Sequence, residues 1–96
     1  MVQQCSAVII GVGPEQGLGA TLSTYFSGKG LHVFIAGRSE SKLHKIADKI
    51  RQTGGSATSV IADATVERDV AHLFKMAQLD GYSIDIAAYN VDSNIP

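Results

Sequence analysis

Apolar and polar residues follow two rhythms along this chain, and each change of rhythm marks an element boundary. Val8, Ile9 and Ile10 form a short unbroken β-branched run, the pattern of a strand covered on both faces. Leu18, Leu22, Tyr25 and Phe26 then recur at helical spacing, which predicts a helix from about Gly17 to Ser27 with that face on the sheet, ended by Gly28 and Gly30. Leu31 to Ala36 reads as a second strand, and Gly37, Arg38 and Ser39 turn the chain into a second helix with Ser39 or Ser41 at its N-cap. In that helix Leu43, Ile46, Ala47 and Ile50 lie at i, i+3, i+4 and i+7, and Gly54 with Gly55 stops it. Ser56 to Ala62 is a third strand. Thr65 is placed to cap a third helix with an inward face of Val66, Val70, Leu73, Phe74 and Ala77, closed by Gly81. Ile84 to Tyr89 is a fourth strand.

Strict alternation of strand and helix, βαβαβαβ, implies a parallel sheet with right-handed crossovers. The expected strand order is 3-2-1-4, with the first two helices on one face, the third on the other, and the whole arranged as a three-layer α/β/α half domain. The 96 residues are read as one domain spanning 1–96, with no internal linker or low-complexity tract.

Composition narrows the functional classes. With 45% hydrophobic and 18% charged residues the chain is an ordinary globular one, and a net charge of −1 argues against a nucleic-acid or anionic-membrane surface. No apolar run has membrane-span length and the N-terminus lacks a signal-peptide pattern, so a cytoplasmic location is expected. Cys5 is the single cysteine; with no activating neighbour visible it reads as an inert thiol. His32, His44 and His72 lack ligand spacing, so no metal site is expected.

The candidate chemistry sits in the stretch from Ala7 to Gly19, AVIIGVGPEQGLG, where a strand runs into a glycine-spaced turn that opens a helix. A backbone that lets an anionic group approach its N–H groups carries no Cβ at the points of contact, and the helix N-terminus directs its positive dipole end to the same spot. Gly13, Gly17 and Gly19 fit G-x-x-x-G-x-G, whereas G-x-G-x-x-G fails at Gln16 and no Lys-Ser or Lys-Thr follows to make a nucleoside-triphosphate loop.

This glycine pattern, a second strand ending in Gly37-Arg38-Ser39, a third ending in Asp63-Ala64 and a fourth ending at Asn90 together resemble the short-chain dehydrogenase/reductase family, from about Ala7 to Asn90. The resemblance implies a Rossmann-like, NAD(P)-binding half domain in which Gly13, Gly17 and Gly19 hold the cofactor pyrophosphate and Leu18 packs beside the nicotinamide end. It further implies that Asp63 and Ala64 contact the adenine and that Asn90 lies near the adenine ribose, although here Asn90-Val91-Asp92 replaces the family's Asn-Ala-Gly. Charge gives an independent reason for cofactor choice. An acidic residue at the end of the second strand would bind the ribose hydroxyls of NAD, whereas Arg38 with the Ser39 hydroxyl forms a fork for a 2′-phosphate, so NADP(H) is expected over NAD(H).

Family chemistry also needs a serine and a Tyr-x-x-x-Lys pair beyond the fourth strand. Tyr25 and Lys29 have that bare spacing, but they lie on the first helix and across a glycine break. No catalytic residue is therefore assigned: the chain reads as the cofactor-binding portion of an oxidoreductase, truncated relative to the family and inactive alone. The alternative is a structural or regulatory interaction module that kept the fold and lost the ligand; a flavodoxin-like or receiver-like domain ranks below both. The fourth strand is expected to be an unpaired edge, which implies self-association through that strand or the exposed sheet face beside it.

Overall fold

The computed structural model describes residues 4–11, 18–63 and 65–89. It contains β1 (Gln4–Ile10), α1 (Leu18–Gly28), β2 (His32–Gly37), α2 (Glu40–Gln52), β3 (Ser56–Ile61), α3 (Glu67–Leu79) and β4 (Tyr82–Tyr89). All strand pairs are parallel and the order is β3-β2-β1-β4, as the alternation of elements requires. Ala7 and Ile9 of β1 and Val33 and Ile35 of β2 pack with Ala20 of α1 and Leu43, Ile46, Ala47 and Ile50 of α2. Val8, Ile10, Phe34 and Ala36 point the other way, onto Leu73 and Ala77 of α3. Alternate residues of the two central strands thus serve opposite faces, which is why both read as continuous apolar runs.

Local chemistry moves several boundaries. β1 begins before the apolar run and includes Cys5, while β2 starts at His32 and extends through Gly37. β4 begins at Tyr82, two residues before the expected start. Tyr25 does not face the sheet: it is 57% exposed. It follows the buried Ser23 by two positions, about 200° around a helix of 3.6 residues per turn. The buried line of α1 is instead the small set Gly19, Ala20 and Ser23, flanked by the half-buried Leu22 and Phe26. Ser23 and Thr24 return their hydroxyls to the carbonyls of Gly19 (2.7 Å) and Ala20 (3.0 Å).

Val66 is the N-cap of α3 and is 41% exposed, so it does not belong to the inward face, and Thr65 does not cap the helix. Ser39 is the N-cap of α2 in extended conformation, yet its side chain makes no capping bond; its Oγ lies 3.5 Å from that of Ser41.

The pairing of β4 with β1 contains one irregularity. Ser6 pairs with Ile84 and Ala7 with Ile86, so Asp85 bulges out of the ladder. Tyr82 and Ile84 consequently pack on the α3 side, whereas Ile86 and Ala88 pack on the α1–α2 side.

Candidate functional site

Because every described strand is parallel, the carboxyl ends of all four lie along one edge of the sheet, and Arg38, Ser39 and Asp63 follow the strands there. The Gly11 N–H donates to the Ala36 carbonyl (2.9 Å) as the chain leaves β1 in a left-handed conformation (φ 87°) that only glycine adopts without strain. The Ala62 N–H donates to the Gly37 carbonyl (2.8 Å), so the ends of β1, β2 and β3 are tied in sequence. These two bonds set Arg38 and Ser39 in the turn between β2 and α2, alongside Asp63 after β3.

Arg38 is exposed and Ser39 half-buried. Asp63 Oδ1 accepts from the Thr65 amide (2.9 Å) and the Thr65 hydroxyl (2.7 Å), an Asx-type turn built from the Asp-x-Thr spacing. The Asp63 N–H in turn donates to Oδ2 of Asp69 in the first turn of α3 (3.0 Å). The Thr65 hydroxyl, then its amide, and more weakly the Arg38 charge, hold the Asp63 carboxyl below its ordinary range against the opposing effect of burial. The Arg38 charge therefore reaches the Asp63 carboxylate across the carboxyl edge. Thr65 and Asp69 are the supports that sequence reasoning missed in these roles. The Asp-x-Thr spacing and the acidic first turn of α3 are the signals that carry them.

Gly19 lies buried in the first turn of α1, the helix that Leu18 opens. Among the three described helices, α1 is the one whose first turn holds no acidic side chain; α2 begins with Glu40 and α3 with Glu67 and Asp69. Its dipole end is thus left without a carboxylate in its own first turn. The expected contacts at Gly13, Gly17, Ala64 and Asn90 lie outside the described residues, as does the side chain of Leu18. Tyr89, immediately before Asn90, pairs with Ile10, so the ends of β4 and β1 adjoin. The crossover from β1 leaves on the α1 face and the one into β4 arrives from the α3 face. The carboxyl ends of β1 and β4 therefore flank a topological switch point, where open α/β sheets bind their ligands.

A profile of the short chain dehydrogenase family matches residues 7–93. The chain belongs to that family. An uncharacterized oxidoreductase of Mycobacterium tuberculosis (strain CDC 1551 / Oshkosh) is 38% identical over 96 residues, which cover 94% of this chain and 34% of the relative. Among solved structures, a short-chain dehydrogenase from Rhodopseudomonas palustris superposes with a TM-score of 0.80 at 25% identity, covering 93% of this chain and 42% of the other. A metagenomic short-chain oxidoreductase in complex with NADP has the same fold, with a TM-score of 0.74 at 21% identity over 88% of this chain and 38% of that one. The chain thus spans about a third of the length of that curated oxidoreductase relative.

Other features of the family member fit no separate chemistry. No group of His, Cys, Asp and Glu suited to a metal ion occurs among the described residues, and no described helix is long and apolar enough to cross a membrane. Cys5 is exposed on β1; its S–H donates to the Asp85 carboxylate, and this bond together with the negative charge of Asp85 pushes the thiol pKa up, which disfavours the thiolate. Tyr25 and Lys29 form a cation–π pair, with Nζ 5.2 Å from the ring centre, on the outer side and C-terminal end of α1. That end lies at the base of the sheet, away from the carboxyl edge, so the pair is structural.

Proposed function

We propose that this chain is the NADP(H)-binding portion of a short-chain dehydrogenase/reductase-type oxidoreductase. The observation that carries the reading is the charge at the end of β2: Arg38 stands where an NAD site would hold a carboxylate, and its charge reaches Asp63 across the edge. In this reading the α1 N-terminus and Gly13, Gly17 and Gly19 receive the pyrophosphate, and Leu18 packs beside the nicotinamide end. Arg38 and Ser39 take the 2′-phosphate, Asp63 and Ala64 meet the adenine, and Asn90 lies by its ribose. The bound cofactor would supply the hydride; the described residues bind and orient its adenosine half.

The 96 residues carry no Tyr-x-x-x-Lys on this edge, so the chain alone is expected to bind without turnover. A cytoplasmic location belongs to the same reading. Calorimetric titration tests it. NADPH should bind more tightly than NADH, and Arg38→Asp should reduce that preference by roughly ten- to hundredfold, the range of one charge-assisted hydrogen bond. An unchanged ratio in the variant would refute the role of Arg38. Failure of both nucleotides to bind would favour the interaction-module alternative.

A further inference from the structure

At the base of the sheet, opposite the carboxyl edge, lies a polar cluster that cofactor binding does not use. His32 is 6% exposed. Its Nδ1 bonds the Ser56 hydroxyl and its Nε2 bonds the Thr58 hydroxyl (2.8 Å), both on β3. Its ring stacks on that of Tyr82 from β4, with centroids 4.4 Å apart and planes 19° from parallel, and meets Phe34 edge to face at 4.7 Å. One side chain of β2 thereby grips a strand on one side and, over the intervening β1, a strand on the other.

We propose that His32 is an acid-sensitive latch: its neutral ring holds β2, β3 and β4 together at the base of the sheet, and its protonation loosens them. A neutral imidazole offers one donor and one acceptor, so either tautomer is satisfied when one hydroxyl accepts from the ring and the other donates to it. The imidazolium has two donors, and both hydroxyls must then turn their protons elsewhere. The groups around the ring pull in both directions. The Asp80 carboxylate at the end of α3 and the π-face of Tyr82 favour the cation, whereas burial and the Arg51 guanidinium oppose it; the remaining partners, Ser56 and Thr58 on β3, are uncharged. Burial is the largest effect, and it holds the His32 pKa below its ordinary value.

The sign follows from linkage. A histidine whose folded pKa is depressed takes up protons more readily in the unfolded chain, so its stabilisation is complete above about pH 6.5 and is lost as pH falls toward the folded value. In proton NMR the His32 ring is expected to titrate below about pH 6.5, the ordinary histidine value. The urea midpoint of the chain should fall between about pH 7.5 and 5.5, whereas that of His32→Gln should change little over the same interval. Titration of His32 at or above that ordinary value would overturn the proposal, and so would equal pH dependence in the variant. The ring titration is read on the unaltered chain, so it decides the matter even if the variant does not fold.

Discussion

At Gly55 a single methyl group decides how close α1 and α2 can lie. A Cβ built there would collide with the Ser27 hydroxyl of α1 and lie 2.8 Å from Ile50 Cγ2 and 3.1 Å from the Ile50 carbonyl of α2. Gly55 itself closes α2 by donating its N–H to that same carbonyl (2.9 Å). Its neighbour Gly54 has a different reason to be glycine: it adopts φ +89° with open space around it. In the sequence the two look like one helix stop, but they answer to packing and to backbone conformation respectively. Gly55→Ala is therefore expected to destabilise the chain by about 1–3 kcal/mol through overpacking, read as a lower urea midpoint. Arg38 illustrates the opposite case. It is exposed and packs into no core, so Arg38→Asp, proposed above to change cofactor preference, is expected to leave the urea midpoint nearly unchanged.

Among the elements, α3 is the one described helix on its face of the sheet. Leu73, fully buried, fills the space over Val8, Ile10 and Phe34, and Leu73→Ala should cost about 2–5 kcal/mol in urea unfolding, as cavity-forming substitutions do. The existence and type of all seven elements were legible because strand and helix periods alternate cleanly, and the sheet order followed from the handedness of crossovers. What pattern could not supply was three-dimensional. Tyr25 falls at helical spacing with Leu22 and Phe26 but sits on the outer side, because the true contact line is made of Gly19, Ala20 and Ser23, residues too small to register as apolar periodicity. In β4 the period-two set Tyr82, Ile84, Ile86 and Ala88 suggests one buried face; the bulge at Asp85 divides it between two. The placement of Arg38, Ser39 and Asp63 just beyond strand ends followed from the element pattern. The support of Asp63 by Thr65 and Asp69 did not, because it depends on how the loop folds back.

For the molecule as a whole, coverage is uneven across the sheet. Residues 7–10 of β1 are fully enclosed, whereas Tyr82, Ile84, Ile86 and Ala88 of β4 are half covered and Leu79, at the end of α3, is 77% exposed. We expect a second copy of the chain to cover these surfaces, seen as a concentration-dependent rise in sedimentation coefficient; a single monomer species at high concentration would contradict it. The contact should use the sheet face more than the strand margin, since Asp85 places a bulge and a negative charge there. Asp85 has a further consequence for the length of this strand. Skip that residue when counting, and Tyr82, Ser83, Ile84, Ile86, Ala87 and Ala88 alternate without a break, each already turned toward the side it occupies. By this count the ladder needs one link fewer than the gene encodes, and a surplus link of this kind disfavours the zipping of a neighbouring chain onto a strand.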